Sequence, residues 1–230
     1  MISLRKSLKV SLSHLRSLPD PEPTGRFHRP LRFDTIVDSI SNVFGEPGRM
    51  SLGINPKGSK LFGFFEYEED GLGNRRLLAF RSSTDGRFAN RVVLGKRVII
   101  CDNGLLSGDE IVLNRKSTTN FELEDELSSH LPTAQEAYER FTEKLEEMKS
   151  KYLDPAEASY LIVEAMRRHA LSPQEACNAA ELYFKGDAPE SAGFNDTRFA
   201  LFQSFTRQLL NNAPSAQFRK SVACGRLFGL

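Results

Sequence analysis

Before Thr119 the apolar residues gather in short runs bounded by turn residues; after it they recur at helical spacing. The switch leaves few architectures open, because a pattern of period two does not suit a helix and one of period 3.6 does not suit a strand. The early runs are 50–54, 60–67, 77–80, 97–101 and 110–113, separated by clusters of Gly, Asn, Asp, Ser and Pro. Such runs read as adjacent strands. A short helix is expected ahead of them, where Ile36, Val37, Ile40, Val43 and Phe44 repeat at helical spacing after Asp34, and Gly45 and Pro47 end it. Beyond Thr119, residues 121–131 read either as a helix or as a loop carrying a short one. Thr133, with Glu136 in a capping box, opens a helix whose Ala137, Tyr138, Phe141, Leu145, Met148 and Tyr152 trace one face. Asp154-Pro155, Ser172-Pro173 with Glu175, Asp196 and Pro214 each begin a further helix. The fold class expected is therefore α+β, a β-rich N-terminal half with an antiparallel sheet followed by a helical C-terminal half.

At 230 residues the chain suits a single domain with an extension. Residues 1–25 read as a basic N-terminal arm and a Pro-rich linker, 26–120 as the β-rich part, and 121–230 as the helical part packed with it as one domain. Within the arm, Leu4, Leu8, Leu12 and Leu15 fall at helical spacing among Arg5, Lys6, Lys9 and Arg16, so residues 1–16 read as a basic amphipathic helix or as a frayed tail. No apolar run reaches the roughly 18–20 residues of a membrane span, and Ser, Lys and Arg break the leading leucines, so no signal peptide is expected. Cys101, Cys177 and Cys224 are far apart and form no CxxC pair, which suits a reducing cytoplasm.

Charge is unevenly spread. Residues 1–120 carry 19 basic and 13 acidic side chains, and 121–230 carry 12 and 17. Residues 75–116 alone hold nine Lys/Arg and four Asp/Glu. A basic sheet with polar loop tips is a surface for anions, though ordinary turns and a solvated face give the same composition. The binding candidates are Arg81, Ser83, Arg87, Arg91, Arg97, Asn103, Arg115 and Lys116. Arg81 and Arg115 follow apolar runs and are expected at strand ends. In an antiparallel meander their ends, with Lys116, fall on one edge.

The sequence holds no catalytic constellation. Cys101 sits beside Asp102, whose charge disfavours a thiolate. His14, His28, His130 and His169 have no metal-ligand spacing. Gly71-Leu72-Gly73 lacks the third glycine of a dinucleotide fingerprint. Asp102-Asn103-Gly104 reads as a tight turn. No cofactor or metal is called for; metal-dependent hydrolysis at Asp85 and Asp102 is the third and weakest reading.

The ordered blocks Arg81-Ser82-Ser83-x-Asp85-Gly86, Gly95-x-x-Val98-x-x-Cys101-Asp102-Asn103 and Arg115-Lys116-Ser117-Thr118 resemble those of the phage- and plasmid-like family called domain of unknown function 932. The segment from Arg198 to Thr206 is similar to its C-terminal element, with Phe199 where the family has Trp and Gln203-Ser204 where it has Asn-Ala. Ser117 stands where the family has His. The resemblance covers about residues 33–228. It implies a mobile-element gene expressed in a bacterial cytoplasm, and brings no catalytic residues with it.

Two functions are expected in consequence. The first is nucleic-acid binding, with single-stranded DNA as the partner and a homo-oligomer as the working form, in replication or recombination. Its fold-level analogy is to phage annealing proteins with electropositive grooves. The alternative is a non-catalytic effector that occludes a host protein partner, for which the acidic residues from Glu122 to Glu147 would imitate nucleic-acid charge. Neither involves a membrane.

Overall fold

The computed structural model describes residues 7–69, 74–98, 104–118, 121–187 and 193–230. The chain enters through strand β1 (Leu8–Val10) and helix α1 (Leu12–Arg16). Residues 8–16 are thus neither one helix nor a tail. Leu8 to Val10 pair with Ile54 to Leu52, covering a sheet edge that would otherwise present open backbone groups. The helix begins only after Ser11, whose hydroxyl accepts from the His14 N–H at 3.1 Å. Helix α2 (Phe33–Phe44) ends at Gly45, where φ is +86°.

Strands β2 (Arg49–Ile54), β3 (Lys60–Glu69), β4 (Asn74–Ser83), β5 (Asn90–Val98) and β6 (Gly104–Arg115) follow. With β1 they form a six-stranded antiparallel meander in sequence order. The run 97–101 is corrected by this register. The strand is built on Asn90 to Val98, which pairs with β4 from Arg81↔Arg91 to Asn74↔Val98. Only the last two residues of the strand belong to the run, and 99–101 lie outside the described residues. Gly95, Lys96 and Arg97 interrupt the apolar pattern and hide the strand. Its partner β4 supplies the hydrogen bonds that the pattern does not advertise.

Alternation along the strands builds two cores. Leu61, Phe65, Leu78, Phe80, Val92 and Leu94 face α2 and the first half of α3 (Leu123–Ser150). Phe62, Phe64, Leu77, Ala79 and Val93 face Phe218 and Val222 of the last helix, α7 (Pro214–Phe228). A third core gathers the second half of α3, α4 (Pro155–Arg167), α5 (Pro173–Lys185), α6 (Arg198–Gln208) and the end of α7. Two helices therefore serve both the sheet and the helical body. In α3, Leu123, Leu127, Ala134 and Ala137 join the sheet core, while Phe141, Leu145 and Met148 join the helical one. At 28 residues, α3 is about 42 Å long. It runs through Pro132, so Thr133 caps nothing. A proline costs a backbone hydrogen bond and crowds the preceding turn, but the continuous apolar stripe from Leu123 to Met148 outweighs that local penalty.

Asp154 caps α4 by accepting from the Ala156 N–H at 2.8 Å. Thr197, one residue past the expected Asp196, caps α6 through the Ala200 N–H at 3.2 Å. Ser172 and Glu175 form the expected capping box on α5, which stops at Gly186 with φ +68°. Glu175 does more than cap: Asn212 Nδ2 donates to it at 2.6 Å, and Lys220 of α7 pairs with it. Burial works against its charge, but the hydrogen bonds from Asn212, Lys220 and Ser172 outweigh it and lower the carboxyl to about 2. The folded state thus binds this proton less readily than the unfolded chain. The stabilisation is complete above the ordinary carboxyl value of 4.5 and is lost as pH falls toward 2. It amounts to at most about 3 kcal/mol. Urea midpoints for Glu175→Gln should therefore fall well below wild type at pH 6, and the gap should narrow by pH 3. An equal gap at both values would refute the ionic contribution.

Candidate nucleic-acid interface

The meander brings the start of β3, the end of β4, the start of β5 and the end of β6 to one end of the sheet. Across that end, on the face toward α7, runs the cross-strand row Phe62, Arg81, Arg91 and Asn114. Arg81 and Arg91 are direct partners, an arrangement of like charges that weakens a sheet. Arg91 Nε donates to Asn114 Oδ1 at 3.1 Å. The Arg81 guanidinium lies 4.9 Å from the ring centre of Phe88, in the β4–β5 hairpin, and 5.2 Å from that of Phe218. Lys60 Nζ stands 5.4 Å from the same Phe88 ring.

Helix α7 lays two more arginines over this row. Burial, then the positive charges of Arg91 and Arg219, lower the Arg81 guanidinium to about 10. Burial, then Arg226, also lowers Arg91. The buried Arg81 Nε finds no hydrogen-bond partner among the described residues. Among the described residues, Arg81, Arg91 and Arg219 meet no carboxylate within ion-pair distance. Four arginines thus share a small area in which three have no acidic partner among the described residues.

The other candidates fall in different places. Ser83 is buried; its hydroxyl donates to Phe88 O at 3.1 Å and accepts the Phe88 N–H at 3.2 Å, so it shapes the hairpin. Arg87 is exposed and 3.7 Å from Asp85. Asp85 sits below the ordinary carboxylate range: burial opposes this, but the Arg87 N–H and Ser59 donate to it, and Ser83 and Lys60 are near. Arg115 pairs with Asn90 on the opposite face of the sheet, where it meets Glu126 of α3 at 2.9 Å. Lys116 is exposed just beyond β6. Arg81, Arg115 and Lys116 do reach one end of the sheet, but on different faces. Arg97 pairs with Arg75 and Gly104 at the far end, about 20 Å from Arg91 at the strand rise per residue. Asn103 lies outside the described residues.

Sequence reasoning missed Lys60, Phe88, Phe218, Arg219 and Arg226. The signal in α7 was available: Arg219 and Arg226 flank the stripe of Phe218 and Val222 two turns apart, but in a half whose net charge is acidic. At the same end of the sheet lies a pocket of about 270 Å³ between the 24–28 segment, the hairpin and the residues after β6. Among the described residues, no cluster of three or more His, Cys, Asp or Glu is placed to hold a metal ion. No helix among them is long and apolar enough to cross a membrane.

Fold and site together define an α+β protein with a meander sheet, flanked by helices and carrying a cluster of arginines at one end of the sheet. Its residues 69–225 match the family model described as Domain of unknown function (DUF932), and the chain belongs to that family. The match begins at the end of β3, later than the sequence resemblance suggested, so β1, α1, α2 and β2 lie outside it. No curated protein and no solved structure gave a match.

Proposed function

We propose that this protein binds the phosphate backbone of nucleic acid, single-stranded DNA in particular, along Arg81, Arg91, Arg219 and Arg226. The observation that carries the reading is the gathering of these arginines where, among the described residues, Arg81, Arg91 and Arg219 meet no carboxylate within ion-pair distance. Like charges held together at a cost to the fold have a use for a polyanion, which removes the repulsion on binding. Phe88, partly buried beside Arg81 and Lys60, favours a single strand, because it places aromatic surface next to the cations and unstacked bases bind such surface. The setting is a bacterial cytoplasm, where strands are exposed in replication and recombination.

Binding of a labelled oligonucleotide at 50 and 200 mM salt tests this. Affinity is expected to fall steeply with salt. Arg91→Ala with Arg219→Ala should weaken binding by tenfold or more and lower the log–log salt slope by about 1.4 units, since each single-strand phosphate contact contributes roughly 0.7. No binding even at the lower salt would overturn the reading, and occlusion of a protein partner would replace it.

A further inference from the structure

We infer that the pocket beside Phe88 receives one nucleobase of the bound strand; the inference rests on the backbone reading above and adds a base-recognition site to it. The pocket measures about 270 Å³. That is below the range of about 300–1,000 Å³ of sites for drug-sized ligands, and suits one heterocycle. Its walls come from three stretches of chain. Phe27 and His28 belong to the segment leading to α2, Asp85 and Phe88 to the β4–β5 hairpin, and Lys116 and Thr118 to the residues after β6.

The stretches are fastened to one another. His28 and Thr118 form an isolated β-bridge, and the Arg29 N–H donates to Ser117 O at 3.3 Å. Beneath them a buried chain of hydrogen bonds runs from Ser82 to Asn90 at 2.6 Å and on to Ser117 at 2.8 Å. The pocket is therefore built on the sheet end, with its polar floor satisfied internally.

Its lining matches what a base presents. Phe27 is 68% exposed, with the Arg26 guanidinium 5.4 Å from its ring centre. A large aromatic face held in water beside a cation is a stacking platform for a base. The Asp85 carboxylate offers an acceptor, and Lys116 and the Thr118 hydroxyl offer donors to the edge of a ring. Phe88 joins the two sites: it lines the pocket and its ring carries the Arg81 guanidinium. A strand with phosphates on the arginine row thus passes the mouth of the pocket.

The test compares two probes on the full chain at low salt: an oligothymidylate, and a strand of equal length made of abasic sites. Wild type should bind the base-bearing strand about tenfold more tightly. Phe27→Ala, an exposed change that should not unfold the chain, should abolish that difference and leave affinity for the abasic strand unchanged. Equal affinity of wild type for the two strands, or a difference that survives Phe27→Ala, would overturn the base site. Abasic binding would then still support the arginine row. Failure of both strands to bind would remove the row and the pocket together.

Discussion

Replacing Gly63 with alanine should destabilise the protein by about 3 kcal/mol or more, at the upper end of what overpacking a core costs. Gly63 lies in β3 directly opposite Phe80 of β4, and the Phe80 ring folds across the strand into the space above it. A Cβ built there would come within 2.1 Å of the ring Cζ and 2.4 Å of Cε2. The ring has nowhere to retreat: Phe80 is 1% exposed, and Phe65 packs edge-on against it at 5.0 Å between centres. Alanine would recover roughly 0.5–1 kcal/mol of backbone entropy relative to glycine in a strand, too little to offset the clash. Phe80→Leu should relieve it. By urea denaturation, Gly63→Ala with Phe80→Leu should be more stable than the sum of the single changes by at least about 1 kcal/mol. Strict additivity would mean that the ring does not occupy the space over Gly63.

Gly63 also marks where sequence reading reached its limit. Its strand was plain from the run of Phe residues, and a glycine inside a strand signals close packing, but only the register names Phe80 as its partner. Local chemistry located the capped helices well: Asp154-Pro155 and Ser172-Pro173 with Glu175 carry their start signals within a few residues. It misplaced the start of α3, where the stripe of Leu123, Leu127 and Ala134 overrules Pro132, and it missed most of β5, which depends on β4. The site followed the same division. Arg81 and Arg91 lie in the basic stretch and were within reach of charge counting. Arg219 and Arg226 come from more than a hundred residues further on, and α7 meets the sheet only through long-range packing of Phe218 and Val222. Charge counting also could not separate faces, so it grouped Arg115, which meets Glu126, with Arg81 and Arg91 on the other face.

Arg81→Met should yield a protein at least as stable as wild type, yet one that binds single-stranded DNA about tenfold more weakly. Two roles of one side chain are opposed here. Two aromatic rings favour the guanidinium, each by about 0.5–2 kcal/mol. Against them stand its burial, the charges of Arg91 and Arg219, and an Nε that finds no partner among the described residues. Burial and those two charges lower its pKa to about 10, and the expected stability of the methionine variant follows if they outweigh the two rings. Methionine keeps an unbranched apolar chain between Phe88 and Phe218, can place its sulfur against either ring, and removes the repulsion. An uncompensated charge exchanged for an apolar group of similar volume often stabilises a fold. Binding loses because a phosphate would no longer find the cation that Phe88 and Phe218 orient. Arg81→Lys separates charge from shape: it retains the charge but loses the planar stack and fork geometry, so its affinity should fall between the two. Thermal unfolding and oligonucleotide titration of the three proteins decide the matter. If Arg81→Met is markedly less stable and binds as wild type does, the guanidinium is a packing element of the sheet–α7 contact, and the arginine row loses its central member.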